Sequence, residues 1–104
     1  MKIIALDRLK RAISAEPLQP HLLMQEMSEV WRLWKAGIIR ECYGRTDAPG
    51  TVIVLECESV EEAERYVNNF SLSRAGLLEW SLLPLTAPYP LAALFDPKLK
   101  ALPR

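Results

Sequence analysis

The sequence predicts an α+β domain in which two helices pack against a four-stranded antiparallel sheet. Two amphipathic segments with helical spacing alternate with apolar, strand-like runs, and a turn signal joins two of those runs into a hairpin. The elements follow one another in the order strand, helix, strand, strand, helix, strand. At 104 residues the chain suits a single domain with one core.

The first strand is predicted over Lys2 to Asp7, because Ile3 to Leu6 form an uninterrupted apolar run bounded by charge. A connection interrupted by proline then leads to the first helix, which has Pro20 in its first turn. Gly37 is expected to end this helix in a left-handed conformation. The helix is expected to bury one stripe, made of Leu23, Met27, Val30, Trp31 and Trp34.

The chain is organised around the hairpin that follows. Residues 38–45 and 51–57 read as strands, and Asp47, Pro49 and Gly50 supply the chemistry of the loop between them. If Arg45 pairs with Thr51, alternation decides which side chains share a face. That register places on one face Glu41, Tyr43, Arg45, Ile53 and Leu55.

The second helix begins with a capping box formed by Ser59 and Glu62 and continues to Phe70. A polar loop over residues 71–76 leads to the last strand, residues 77–85, in which Pro84 suits an edge position or the strand end. We expect a domain over residues 1–95 and a loosely held tail over residues 96–104.

Composition excludes several classes of partner. Thirteen basic residues balance thirteen acidic ones, so nothing indicates a nucleic-acid partner. The N-terminal apolar run is too short for a signal peptide or a membrane span, which predicts a cytoplasmic protein without a membrane partner. Cys42 and Cys57 are not opposite each other in the predicted hairpin and read as buried free thiols. With a single histidine, they lack the spacing of a metal site, so neither metal nor cofactor is predicted.

The order of elements is that of the ferredoxin-like fold, which leaves one face of the sheet without helices. Ile3 to Leu6 and Val52 to Leu55 are apolar on both faces, so this free face would expose large side chains. Leaving four to six such residues in water would forgo roughly 6–15 kcal/mol. We therefore expect a homodimer that covers this face.

Short patterns along the chain resemble the dimeric α/β-barrel superfamily, and within it the muconolactone isomerase-like group. They are Ala36 and Gly37; Arg40, Glu41, Tyr43 and Arg45; Glu58 and Ser59; Phe70 to Leu72; Pro84 and Leu85; and Pro88, Tyr89 and Pro90. The resemblance implies that two sheets face each other to close a barrel, whose cavity holds a small, often ring-shaped organic ligand. It identifies no catalytic residue by itself.

Glu41 and Tyr43 are the candidate catalytic residues, because an acid and a phenol on one face could move a proton. Arg45 could hold a carboxylate, and the substrate would also contact Ile53, Leu55 and Glu79. The alternative is that these charges only protect an edge strand from aggregation. His21, at a helix start, is a weaker acid/base candidate, and Trp31 and Trp34 read as core.

Two functions follow. The first is a cofactor-free isomerase that transfers a proton on a small lactone or ring acid; the second is a non-catalytic barrel that binds a small apolar ligand or supports a partner enzyme. A haem enzyme is disfavoured, because His21 is the only histidine available as an axial ligand. A buried acid or base with a shifted pKa in the cavity would favour the enzyme.

Overall fold

The computed structural model describes residues 1–10, 19–95 and 98. The predicted connection around Pro17 and, apart from Lys98, the predicted loose tail lie outside this part of the chain. The strands are β1 (Lys2–Leu9), β2 (Ile39–Gly44), β3 (Thr51–Glu56) and β4 (Leu78–Pro84). The helices are α1 (Pro20–Lys35), α2 (Val60–Asn68), α3 (Ser71–Arg74) and α4 (Tyr89–Ala92), and a 3-10 turn follows over Ala93–Phe95. Among the described residues no helix is long and apolar enough to cross a membrane.

The sheet has the strand order β2-β3-β1-β4, and every pair of neighbours is antiparallel. This arrangement confirms the predicted α+β, ferredoxin-like fold. Pro84 ends β4 at the sheet edge, where its missing N–H removes no ladder bond from a central strand.

Single residues mark both ends of α1 and the start of α2, as predicted. Pro20 occupies the first turn of α1, and Gly37 follows that helix with φ of +79°. The Ser59 hydroxyl oxygen accepts a 3.1 Å hydrogen bond from the backbone N–H of Glu62, which confirms the predicted helix cap.

The core lies between the helices and one face of the sheet. Phe70 contacts the edge-strand residue Trp80, with ring centroids 5.9 Å apart, and the Trp80 indole N–H donates to the Ser73 hydroxyl at 2.9 Å. The other buried side chains of this cluster include Ile3, Ala5, Ile53 and Leu55 from the sheet and Val30, Ala63 and Val67 from the helices.

The predicted hairpin register is wrong by one residue. Gly44, and not Arg45, pairs with Thr51, because the Arg45 backbone N–H closes the loop by donating to the Gly50 carbonyl at 3.1 Å. A bulge between Ile39 and Glu41 shifts the pairing again. Since a one-residue shift exchanges the two faces, Ile53 and Leu55 point into the core, away from the face that carries Glu41.

The opposite face of the sheet, here called the open face, is apolar at its centre. We define it by Ile4, Leu6, Val52, Val54 and Leu83, which alternate with the core residues along their strands. Val54, at 8% exposed, is the one buried residue among them, and Leu83 remains 47% exposed. The predicted two-sided apolar character of the central strands is confirmed.

The predicted buried stripe of α1 is confirmed at Val30 and wrong at its other four residues, which are exposed. Its core side carries Glu26 and Val30, whereas Trp31 is 61% exposed. The carboxylate of Glu26 accepts a hydrogen bond from α3, so this acidic position, and not the aromatic one, faces inward. We call the exposed set the apolar stripe; it consists of Met24, Met27, Trp31 and Trp34.

Candidate functional site

A cavity of about 450 Å³ lies between α1 and the end of the sheet that carries the hairpin loop. Its volume falls within the range of small-molecule sites. Apolar side chains make up much of its lining, and two carboxylates interrupt them. The lining residues are Asp7, Arg8, Leu9, Leu23, Glu26, Met27, Pro49, Gly50, Thr51, Leu72 and Leu78.

Asp7 reaches the cavity from β1 and is 9% exposed. Its Oδ1 accepts a 2.7 Å hydrogen bond from the backbone N–H of Thr51. Burial raises the pKa of the Asp7 carboxyl, although the bonds to Thr51 and the charge of Arg45 act in the opposite direction. The carboxyl therefore holds its proton at higher pH than an exposed aspartate does.

Gly50 lets the hairpin loop close over Asp7. Its φ of +145° is in a region that favours glycine, and a Cβ at this position would lie 3.2 Å from Asp7 Oδ1 and 3.3 Å from the Asp7 carbonyl oxygen. This close approach lets the next residue, Thr51, donate its N–H to the carboxylate.

Glu26 enters the cavity from α1 and is 6% exposed. It accepts a 3.1 Å hydrogen bond from the backbone N–H of Leu72. Burial is the main cause that raises its pKa, and the negative charges of Asp7 and Glu29 raise it further. Asp7 and Glu26 are thus two electrostatically coupled acids in the wall of one cavity.

Glu29, one turn further along α1, anchors α3. Its Oε1 accepts hydrogen bonds from the backbone N–H and the hydroxyl of Ser71, both at 2.8 Å, and its Oε2 accepts one from Arg74 at 3.0 Å. Glu29 and Glu26 together accept hydrogen bonds from backbone N–H groups at the start of α3. The residue at the N-cap of α3, Phe70, has no side-chain acceptor for them. The residues predicted as a polar loop form a helical turn because α1 supplies these acceptors.

Glu41 and Tyr43, the predicted catalytic pair, lie on the side of the open face and do not line this cavity. Both are exposed, and the Tyr43 hydroxyl donates a 2.5 Å hydrogen bond to Glu41 Oε1. This hydrogen bond raises the pKa of the Tyr43 phenol. The structure therefore brings these two side chains together as predicted, but on the solvent-exposed side of β2.

The remaining predicted contact residues are dispersed. Arg45 donates to Asp47 at 2.7 and 3.0 Å, and its Cδ lies 3.5 Å from the position that a Gly50 Cβ would take. Glu79 forms a 2.6 Å ion pair with Arg8. The last two predicted contacts, Ile53 and Leu55, are core residues, and His21 is exposed on α1.

Asp7 ends a predicted strand, whereas Glu26 is not among the residues predicted to form a site. Asp7 follows Ile3 and Ala5 at every second position of β1. The alternation of side chains along a strand was therefore enough to predict that Asp7 points inward. Glu26 precedes Val30 by four residues and shares its helix side, but its charge suggested solvent. Within the described residues, no group of three or more potential ligands that could hold a metal ion is present.

A second, shallower depression of about 730 Å³ runs along α2 and is lined largely by polar side chains. Its acids, Glu61 and Glu64, are exposed. The cavity with Asp7 and Glu26 therefore combines the features of a chemical site better, because it joins an apolar wall with buried acids.

The solved structures include a protein of similar fold: 5-chloro-2-hydroxyhydroquinone dehydrochlorinase (TftG) from Burkholderia phenoliruptrix AC1100, in complex with 2,5-dihydroxybenzoquinone. The TM-score is 0.56 at 16% sequence identity, over 83% of this chain and 95% of that chain. This likeness shows the fold. The sequence matches no family model and no curated protein.

Proposed function

We propose that the chain is a cofactor-free enzyme of the muconolactone isomerase-like kind, which moves a proton on a small lactone or ring acid. The observation that carries the proposal is the pair of buried carboxylates, Asp7 and Glu26, in the wall of a cavity large enough for one ring. The fold neighbour supports a small ring compound as substrate, since it is named for a chlorinated hydroxyhydroquinone and holds a dihydroxybenzoquinone.

The two acids can divide the work of an isomerisation. Since the charge of Asp7 disfavours ionisation of Glu26, Asp7 can be ionised while Glu26 keeps its proton. The ionised carboxylate would take a proton from a carbon next to the substrate carbonyl, and the protonated carboxyl would give its proton to another atom of the ring. A double bond then moves, and no oxidant or reductant is consumed.

Neighbouring groups would position the substrate. The apolar side chains of Leu23, Met27 and Leu72 would contact the ring and exclude water. Arg45 is electrostatically coupled to Asp7 and could attract an anionic substrate toward the loop, although its guanidinium is paired with Asp47. A shift of that pair would make the guanidinium available to a substrate carboxylate.

Glu41 and Tyr43 would form a second candidate site if two chains associate. We propose that two chains form a homodimer through their open faces, which would place Glu41 and Tyr43 beside the partner sheet. The apolar centre around Leu6 and Val52 supports this assembly. The predicted cytoplasmic location also remains part of the proposal and agrees with the free thiols of Cys42 and Cys57.

The test is a panel of small lactones, ring acids and hydroxylated quinones, screened for binding by calorimetry and for turnover by ultraviolet absorbance. For a compound that is turned over, Asp7→Asn and Glu26→Gln should each lower kcat by about a hundredfold or more, while binding changes little. Both variants keep an oxygen that can accept the backbone N–H. Glu64→Gln is the matched control, because Glu64 is exposed on α2.

Other outcomes separate the candidates. If Glu41→Gln and Tyr43→Phe abolish turnover and the cavity variants do not, the site lies on the open face. If a compound binds in the cavity and no compound is turned over, the chain is a binding protein. Light scattering of the parent and of Leu83→Asp tests the homodimer. The open-face interface is supported if the parent has twice the monomer mass and the variant has a lower mass.

A further inference from the structure

Thr51 and Asp7 are neighbours on the two central strands of the sheet. β1 and β3 are antiparallel with Leu6 opposite Val52, so the adjoining position of each strand places Asp7 beside Thr51. Alternation along the strands puts both side chains on the core side of the sheet. Thr51 is partly buried and lines the cavity together with Asp7. The hairpin therefore contributes a polar side chain to the wall next to a candidate acid.

Two groups of Thr51 bind the Asp7 carboxylate. The backbone N–H donates to Oδ1 at 2.7 Å, and the side chain forms a further hydrogen bond. Burial raises the pKa of the Asp7 carboxyl, and both bonds from Thr51 oppose this rise, because hydrogen bonds to an ionised carboxylate are the stronger ones. On its other side Thr51 pairs with Gly44, which has no side chain that could compete for the hydroxyl.

Glu26 has weaker support as an anion. Its carboxylate accepts the backbone N–H of Leu72 at 3.1 Å, but burial raises its pKa, and the charges of Asp7 and Glu29 raise it further. The hydrogen bonds from the hairpin thus favour ionisation of Asp7, and the neighbouring charges disfavour ionisation of Glu26. The two acids are unequal before any substrate enters the cavity.

Arg45 and Cys42 also interact electrostatically with Asp7. The guanidinium of Arg45 favours the Asp7 anion, but it is shared with the exposed carboxylate of Asp47 at 2.7 Å. Burial and the charge of Asp7 raise the pKa of the Cys42 thiol, so this thiol stays neutral at physiological pH. Because Arg45 is already paired, the direct contacts that hold Asp7 as the anion come from Thr51.

We propose that Thr51 is a positioning residue: it holds Asp7 as the carboxylate, which makes Asp7 the base and Glu26 the acid of the site. The inference rests on the proposed proton transfer. The Asp7 carboxylate takes the proton from the substrate carbon, the electron pair of that C–H bond moves into the new double bond, and the old double bond takes the proton of the Glu26 carboxyl. Exchange with water then returns a proton to Glu26 and removes one from Asp7, so no oxidant or reductant is needed.

Carbon-13 NMR of the full-length chain tests the state of Asp7 without a ligand. The chain contains three aspartates, Asp7, Asp47 and Asp96, so the carboxyl carbon of Asp7 can be assigned and followed with pH. Thr51→Val keeps the branched shape and the backbone N–H and removes the hydroxyl, so the pKa of Asp7 should rise above that of the parent. Thr51→Ser restores a hydroxyl and should return it to the parent value. Thr46→Val is the matched control, because Thr46 is exposed in the same loop.

The direction of the change distinguishes positioning from a general loosening of the site. A variant that opens the cavity to water would lower the pKa of both Asp7 and Glu26, because burial is the main cause that raises each of them. Loss of the Thr51 hydroxyl should instead raise the pKa of Asp7. The proposal is overturned if Thr51→Val leaves the pKa of Asp7 unchanged or lowers it, or if Thr51→Ser behaves like Thr51→Val.

The pH dependence of kcat tests the role of Asp7 as the base, with any compound that the screen shows to be turned over. The acidic limb should move to higher pH in Thr51→Val, so kcat measured on that limb should fall by about threefold or more, while KM changes less. Thr51→Ser should restore the limb. If the limb stays in place in a variant whose Asp7 pKa has moved, Asp7 is not the base. If no compound is turned over, the proposed function fails, and the NMR titration still decides whether Thr51 holds Asp7 as the anion.

Discussion

Glu29 holds α3 against α1, and replacing it by alanine should destabilise the protein. The change removes the acceptor of two hydrogen bonds from Ser71 and also removes the ion pair with Arg74. Ser71 is buried, at 3% exposed. Hydrogen bonds to a charged group contribute about 1.5–3 kcal/mol each, and buried donors left without a partner add a desolvation cost. The two Ser71 bonds share one oxygen, and Arg74 is half exposed, so their contributions do not simply add.

The expected loss of unfolding free energy for Glu29→Ala is therefore roughly 2–4 kcal/mol. Glu29→Gln retains an oxygen acceptor and loses the charge, so its loss should be about 1 kcal/mol. Urea denaturation followed by tryptophan fluorescence measures both values, with exposed Glu64→Ala as the control. If Glu29→Ala unfolds at the same urea concentration as the parent, the hydrogen bonds to α3 do not hold this part of the fold.

Two further predictions concern the buried acids and the loop beside them. The pKa of Glu26 is raised above its ordinary value of 4.5, so the folded state binds more protons between that value and the raised one, and stability falls as pH rises through this window. Glu26→Gln should therefore be more stable than the parent at neutral pH, and this difference should vanish below the ordinary pKa. Denaturation at several pH values measures the free energy of unfolding of both proteins. If the two free energies change with pH in the same way, Glu26 is not a buried acid that titrates in this window. Gly50→Ala should lose about 1–3 kcal/mol, because its Cβ would strain the backbone and press on Asp7. Thr51→Ala, which keeps the backbone N–H that binds Asp7, is the comparison, and equal stability of both variants would show that the close approach of Gly50 costs nothing.

Strong local patterns were enough to predict the four strands, the helices α1 and α2, and the order of these six elements, but not the short helices α3 and α4. Proline at the start of α1, glycine after it and the Ser59 cap each act within a few residues, so the sequence reveals them directly. The apolar runs of β1 and β3 also lie where predicted. These features need no knowledge of distant contacts.

The faces of the elements could not be predicted as well, because distant contacts decide them. The hairpin register depends on how the loop closes at Gly50 against Asp7, a residue of another strand. The rotation of α1 depends on Leu72, whose N–H draws Glu26 inward against its preference for water. Both candidate acids of the cavity are therefore set by contacts that span more than forty positions of the chain.

The bulge in β2 has a consequence for changes in chain length. Arg40 is the extra residue between Ile39, which pairs with Leu55, and Glu41, which pairs with Val54. Removing Arg40 would leave both pairs opposite each other, so every other side chain of the hairpin could keep its face. Removing Cys42 instead would exchange the faces of the residues on one side of the deletion and bring a charged or aromatic side chain toward the core. Natural variants that lose a residue in this strand should therefore lose it at position 40, where the sheet already contains one residue more than its pairing requires.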